Sequence, residues 1–176
     1  MDNPEMKRLI LCLRGLAIAA LPLMVIEFAH TLAVGRSFSV ELAGSALSFA
    51  RGDLGETRWT VLQALQSASK LPWLAMILQI EGIARLLGAG ETFSHRSALR
   101  FRRLSYAILG IAIIETVERP AIAAYLTASG AIPVWPEISV FDVVRIGLLL
   151  ATALFFVVAR IVELGVSLKA DADLTI

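Results

Sequence analysis

Three ionisable residues lie close together in a stretch of the chain that is otherwise apolar. Glu115, Glu118 and Arg119 fall in the second half of LSYAILGIAIIETVERPAIAAYL, residues 104–126, and Pro120 follows at once. A stretch of this length and composition is long enough to cross a bilayer. Charged groups inside a membrane are costly unless they face protein or water, so these three require partners from other helices. The chemistry open to them is ion pairing, proton transfer or the binding of a charged ligand.

Other apolar stretches of the chain contain residues that could act as these partners. Glu115 and Arg119 are four residues apart and can pair within one helix, whereas Glu118 points elsewhere and needs a basic partner on another helix. Three glutamates balance one lysine and two arginines, as a mutually neutralised network requires, with one histidine undecided. The predicted intramembrane polar cluster comprises Glu27, His30, Lys70, Glu115, Glu118, Arg119 and Arg145.

Two interpretations of this cluster compete at the level of sequence. In the first, the charges form a clasp that fixes the register of the helices, or side chains near the helix ends extend to the headgroups. In the second, they line an outward-facing cavity that binds a ligand or relays protons. Pro22, Pro72 and Pro120 favour the second interpretation, because broken helices often line cavities. His30 is the residue best suited to respond to pH.

The composition is that of an integral membrane protein. Of the 176 residues, 57% are hydrophobic and 18% are charged, and the mean hydropathy is +0.76. A soluble domain normally has about 25% charged residues. The single cysteine, Cys12, excludes an intrachain disulfide and a cysteine-based metal cluster.

Four apolar runs predict an all-α bundle of four transmembrane helices that forms a single membrane domain over residues 1–176. The predicted helices cover about residues 9–34, 59–87, 104–126 and 140–162. Between the first two, the spacing of Phe38, Leu42, Ala46 and Phe49 predicts a short interfacial helix within residues 37–50. The alternation of Phe38, Val40 and Leu42 also permits a strand.

The distribution of basic residues predicts the orientation of the bundle. A loop rich in arginine is predicted between the second and third helices, and its arginines are Arg96, Arg100, Arg102 and Arg103. Because basic loops stay on the cytoplasmic side, this loop and both termini are predicted to be cytoplasmic. The basic pair before the first apolar run is typical of a signal peptide, but that run is long and lacks a cleavage site, which predicts a retained helix. We expect a multi-pass protein of the bacterial inner, or cytoplasmic, membrane.

Enzyme signatures are absent from the sequence. It contains no HExxH, no GxSxG, no glycine-rich phosphate loop and no cysteine pair. The two histidines, His30 and His95, fall on opposite sides of the predicted membrane. We therefore expect a non-enzymatic protein without a cofactor or a metal. The arginines are more simply explained by topology and contact with anionic lipids than by direct binding of nucleic acid.

Two stretches of the chain resemble a known family. GETFS, residues 90–94, with the arginines and leucines that follow it, resembles a "G-x-x-F-[ST] … L-R-x-[IL]" signature between the second and third helices of a bacterial membrane family. The chain also resembles that family at its acidic "L-T-[IV]" terminus. The family is domain-of-unknown-function family 2975, small proteins with four membrane helices. The residues that carry the resemblance are Leu99, Arg100, Arg103 and Leu104 in the first stretch and Glu163, Gly165, Leu168, Asp171, Asp173, Leu174, Thr175 and Ile176 in the second.

The resemblance implies no catalytic residues. It implies that such proteins are often encoded beside a small helix-turn-helix transcription regulator, so a cytoplasmic partner of that kind is expected. The surfaces offered to it would be the four arginines of the loop and a flexible acidic tail with Asp171 and Asp173. We expect a regulatory or sensory interaction protein. The alternatives are a small transporter or channel subunit that uses the charged cluster, and a structural subunit of a larger membrane complex. A homo-oligomer is also compatible with the sequence.

Overall fold

The fold is built mainly from long helices. The structure is a computed structural model, and it describes residues 4–34, 37–42, 45–133, 135 and 143–174. In chain order its elements are α1 (Pro4–Val34), β1 (Ser37–Leu42), β2 (Ser45–Ala50), α2 (Arg51–Leu54), α3 (Glu56–Ala68), α4 (Lys70–Gly88), α5 (His95–Ala128) and α6 (Val143–Leu174).

Three helical segments are long and apolar enough to cross a membrane. They are Lys7–His30 in α1, Glu56–Gly88 over α3 and α4, and Val143–Asp171 in α6. α5 is not among them, because its arginines and its Glu115–Arg119 segment place several charges in every stretch of sufficient length. The chain therefore has the fold of a helical membrane protein with three candidate spans.

Residues 37–42 and 45–50 form two paired strands, as the alternation of apolar residues permits, so the expectation of an interfacial helix there is wrong. β1 and β2 pair antiparallel, and the register places Phe38 opposite Phe49 and Val40 opposite Leu47. Apolar residues at every second position suit a strand, whose side chains alternate between two faces, and this period outweighed the weaker helical spacing.

The predicted second helix is interrupted near its middle. α3 ends at Ala68 and α4 begins at Lys70. Pro72 has no amide hydrogen to donate to the carbonyl of Ala68, which removes one bond of the helical ladder at this point. Pro72 packs beside Gly110 of α5, where an added Cβ would lie in ordinary van der Waals contact, 3.5 Å from the Cβ of Pro72. The interruption is thus packed against the neighbouring helix.

The predicted arginine loop is largely helical. α5 begins at His95, well before the predicted start at residue 104. Ser94 caps it, since the Ser94 hydroxyl accepts a hydrogen bond from the Ser97 amide at 3.1 Å and the Ser97 hydroxyl accepts one from the Ser94 amide at 3.2 Å. This reciprocal cap satisfies two amides of the first turn. The four arginines consequently project from a helix, and the prediction of a loop over residues 95–103 is wrong.

The predicted flexible tail is also helical. α6 continues to Leu174, whereas the prediction ended the last helix at about residue 162. Asp171 and Asp173 both belong to α6, which contradicts the expectation of a flexible acidic segment. Residues 140–142 of the predicted helix, together with Thr175 and Ile176, lie outside the described residues.

The long helices pack in the order α1, α4, α5, α6, and each contacts the next. Two apolar clusters hold them together. The hairpin-side cluster joins α2 and α3 to the end of α5, and the arginine-side cluster joins α4 and α6 to the first half of α5. The hairpin-side cluster comprises Leu54, Trp59, Leu62, Ile122, Ala123, Leu126 and Ile132. The arginine-side cluster comprises Ile83, Leu104 and Ile108 with Met76, Ile80, Leu87, Phe101, Leu148, Ala151 and Phe155 around them.

The cap of α5 generates a test of this fold. Ser94→Ala removes the hydroxyl that accepts from the Ser97 amide, so we expect a loss of about 1 kcal/mol in the free energy of unfolding. Ser167→Ala is the matched control, because the Ser167 hydroxyl is exposed and only donates to the Leu164 carbonyl of its own helix. Chemical unfolding of the purified protein in detergent micelles measures both. Equal effects of the two substitutions would contradict a helix that starts at Ser94.

Candidate functional site: a charged cavity between α5 and α6

A polar layer separates the two apolar clusters. Along α5, Leu104 and Ile108 belong to the arginine-side cluster, Ile122 and Leu126 belong to the hairpin-side cluster, and the charged residues 115–119 lie between them. The junction of α3 and α4 lies at the same level. The layer therefore lies where Pro72 and Pro120 each remove one backbone hydrogen bond from neighbouring helices. Its members are Glu27, Ser69, Lys70, Glu115, Glu118, Arg119 and Arg145.

Arg145 is the buried charged residue of this layer. Only 4% of its surface is exposed. Its Nη2 donates a hydrogen bond to the backbone carbonyl oxygen of Glu115 at 3.1 Å, which joins the start of α6 to α5. Pro120 leaves the carbonyl of Thr116, the next residue, without a helical amide donor. Arg145 thus attaches to α5 at the turn where its hydrogen-bond ladder is incomplete.

A cavity of about 330 Å³ opens beside this contact. It is lined by Glu115, Glu118, Arg119, Val144 and Arg145. Glu115 and Arg119, whose spacing allows them to pair within one helix, both line this cavity. Two carboxylates and two guanidinium groups around one opening can bind a small polar molecule that carries charge of either sign, or of both.

Lys70 connects the cavity to α1. Its Nζ lies 3.0 Å from the Oε1 of Glu27, an ion pair between α4 and α1. On the other side, the Glu118 carboxylate is close enough to interact with both the Lys70 ammonium and the Ser69 hydroxyl. Lys70 and Arg119 are the basic residues whose charges act on Glu118. His30 is exposed near the end of α1 and has no polar contact with another described residue.

The residues predicted to contact a cytoplasmic partner have different environments. Arg100 is partly buried, and its Nη1 donates to the Oε1 of Gln79 on α4 at 3.0 Å. A Cβ on Gly82 would lie 2.9 Å from the guanidinium carbon of Arg100, so this side chain fills a gap between helices. Arg96 and Arg103 are exposed on α5. The Asp171 position is exposed on α6, and the side chain of Asp173 lies outside the described part of the chain.

The end of the bundle that carries Arg96, Arg100, Arg102 and Arg103 is called the arginine side. There, α5 and α6 are joined through Glu163. Its Oε1 lies 3.9 Å from the Nη1 of Arg102, and its Oε2 accepts a hydrogen bond from Arg160 at 3.0 Å. Nearby, the Phe93 ring packs on Gly165, where an added Cβ would lie 2.5 Å from Cδ1 of the ring. The two stretches that carry the family resemblance therefore meet in space.

Several residues that build these contacts were not predicted. Ser69 and Gln79 are uncharged, and Glu163 lies at the end of an apolar run. A search for buried charge therefore does not identify them. The spacing of Arg160 and Glu163, three residues apart on a helix, is a signal that could have identified their pair. The proximity of Ser69 to Glu118 and of Gln79 to Arg100 depends on how helices are placed side by side, which spacing along one helix does not report.

The fold and the cavity define a class: a helical protein with three candidate membrane spans and a charged cavity between two of its helices. Within the described ranges, no group of three or more His, Cys, Asp or Glu side chains could hold a metal ion. Comparison with protein-family models, curated proteins and solved structures gives no match to the chain. The resemblance to family 2975 accordingly stays a prediction.

Arg145 and Arg119 line the same cavity but differ in burial, which allows a matched test. Arg145→Leu leaves the carboxylates of the layer without a buried counter-charge, so we expect the free energy of unfolding to fall by about 3 kcal/mol. Arg119→Leu removes an exposed guanidinium and should cost less than about 1 kcal/mol. Thermal and chemical unfolding in detergent compare the two. Equal losses would contradict a structural role for the Arg145 contact.

Proposed function

We propose that this chain is a non-enzymatic sensory or regulatory membrane protein. A small polar ligand binds in the cavity between α5 and α6, and its occupancy is communicated to a cytoplasmic partner. The observation that carries this proposal is the continuity of α5 and α6 from the cavity to the arginine side. α5 has 34 residues and α6 has 32, so each is about 50 Å long.

The two helices are joined by polar contacts at two levels. Arg145 contacts the Glu115 carbonyl beside the cavity, and Glu163 contacts Arg102 at the arginine side. A ligand that draws the Arg145 guanidinium away from Glu115 loosens the contact between the helices beside the cavity. Because packed helices shift as units, the change is transmitted to the contact between Glu163 and Arg102. A ligand has this effect only to the extent that it binds the two arrangements with different affinity.

The orientation that accompanies this function places the arginine side in the cytoplasm of a bacterium. We propose α5 as a fourth span of the cytoplasmic membrane, with its charges facing the cavity and α6 rather than lipid. Exposed basic residues on four helices lie near the arginine side, which supports a cytoplasmic location for that side and for both termini. These residues are Arg8 on α1, Arg85 on α4, Arg103 on α5 and Arg160 on α6.

The partner would contact the exposed parts of α5 and α6 beyond the membrane. Arg96 and Arg103 are available there, whereas Arg100 is engaged with Gln79 and Arg102 lies beside Glu163. A soluble helix-turn-helix regulator, which the family resemblance implies, is the partner that we favour. Membrane subunits or a second copy of the chain are the other outcomes.

A transporter or channel subunit is the alternative, because proline-interrupted helices beside a charged cavity are common in transporters. One observation weighs against it. Between the cavity and the arginine side, Ile83, Leu104 and Ile108 form a closed apolar cluster, with Phe101 and Phe155 packed around it. A path for ions or polar solutes would have to open this cluster. The sensory role requires no such opening.

A purification from native membranes tests the regulatory role. We expect a soluble DNA-binding protein to co-purify with the wild type and to be lost from the double variant Arg96→Glu/Arg103→Glu, because both positions are exposed at the arginine side. Arg51→Glu is the matched control, since Arg51 is an exposed arginine on the hairpin side. Mass spectrometry of the eluates identifies the partners. Membrane subunits at fixed stoichiometry, unaffected by either variant, would contradict the regulatory role.

A labelling experiment tests the fourth span. In a Cys12→Ser background, single cysteines replace Gly52 in α2, Ala128 at the end of α5 and Ser167 in α6. We expect a membrane-impermeant maleimide to label positions 52 and 128 in intact spheroplasts, and position 167 only after permeabilisation. Labelling of position 52 but not of position 128 in intact spheroplasts would show that α5 does not cross the membrane.

A further inference from the structure

Two small cavities meet at Lys70 on the face formed by α1, α3 and α4. One has a volume of about 80 Å³ and is partly polar, and the other, of about 100 Å³, is apolar. Phe28 and Lys70 line both. The polar cavity is completed by Glu27, Gln66 and Ser67. The apolar cavity is completed by Met24, Val25, Leu71 and Leu74.

The two cavities lie on either side of a change in polarity along the helices. On α1 the residues before Glu27 are apolar, and on α4 the residues after Lys70 are apolar. α3, which precedes Lys70, contains Gln63, Gln66 and Ser67 near its end. α1 and the α3–α4 segment are candidate membrane spans, and the 19 residues of α4 alone approach the roughly 20 that a spanning helix needs, which places the border of the hydrocarbon region at this change in polarity. The polar cavity therefore lies at headgroup level and the apolar cavity lies at the level of the acyl chains.

The ion pair at this border is open to its surroundings. The side chain of Lys70 is 39% exposed and that of Glu27 is 62% exposed. Ionised groups at the membrane border are stabilised by partners of opposite charge. A headgroup that carries both an anion and a hydrogen-bond-donating cation complements both residues at once.

We propose that this site binds a phospholipid of the hairpin-side leaflet whose headgroup contains a phosphate and a primary ammonium, as in phosphatidylethanolamine. Lys70 donates to the phosphate, Glu27 accepts from the ammonium, and a segment of one acyl chain occupies the apolar cavity beside Leu71 and Leu74. A choline headgroup has no N–H to donate to Glu27, and a glycerol headgroup has no cation. The site therefore prefers the ethanolamine headgroup.

This site differs from the charged cavity between α5 and α6, although Lys70 connects the two. Its occupant comes from the bilayer, and its test requires neither a soluble ligand nor a cytoplasmic partner. Failure of the proposed sensory role would leave the lipid site unaffected.

Native mass spectrometry of the full chain tests the proposal. The protein is purified in mild detergent and mixed with equal amounts of phosphatidylethanolamine, phosphatidylcholine and phosphatidylglycerol with identical acyl chains. We expect the wild type to retain the ethanolamine lipid about tenfold over either competitor, the factor for one charge-assisted hydrogen bond. Glu27→Gln should reduce this preference to within about twofold. Glu56→Gln, which removes an exposed carboxylate outside the site, should leave it unchanged.

A second variant separates the apolar cavity from the headgroup contacts. Leu74→Trp fills the space for the acyl chain, so retention of all three lipids should fall about tenfold while their ranking is preserved. Equal retention of the three lipids by the wild type would overturn the proposal. So would an ethanolamine preference that survives Glu27→Gln, because the ammonium would then be recognised elsewhere.

Discussion

The cost of charge in apolar surroundings is the constraint on which this structure depends. Arg145 is buried near the start of α6, where a guanidinium without acceptors would cost several kcal/mol. Its hydrogen bond to the Glu115 carbonyl and the carboxylates around the neighbouring cavity offset that cost. Because these groups belong to α5, the start of α6 has to lie against the proline-containing turn of α5. The apolar clusters on either side can then pack without containing any of the charges.

The same constraint links the two ends of the molecule. α5 and α6 pass from the polar layer through the arginine-side cluster, and they meet again where Glu163 lies between Arg102 and Arg160 and where Phe93 packs on Gly165. Apolar packing between the two ends resists small deformations of a single helix, since close-packed interiors transmit strain. The proposed sensory role depends on these two sets of polar contacts and on the packing between them.

Sequence reasoning predicted the helical class and most members of the polar layer, because hydropathy and isolated charges are strong local signals. It was wrong where local signals competed. Residues 37–50 contain both helical and alternating spacing, and pairing between the two strands decided in favour of the hairpin. The predicted third helix started too late, at residue 104, and the predicted last helix ended too early, at residue 162, because polar helical residues do not extend an apolar run. The Arg145–Glu115 contact involves a backbone carbonyl on another helix, which no spacing of side chains reports.

In the proposed sensory role, the state of the polar layer determines how α5 and α6 are arranged at the arginine side. Pulsed electron paramagnetic resonance measures this directly, with spin labels in place of the exposed Leu99 on α5 and Leu168 on α6 in a Cys12→Ser background. We expect Arg145→Gln to shift or broaden the distribution of distances between the two labels. Arg119→Gln should leave this distribution as it is in the labelled Cys12→Ser protein. Identical distributions in all three proteins would contradict coupling between the cavity and the arginine side.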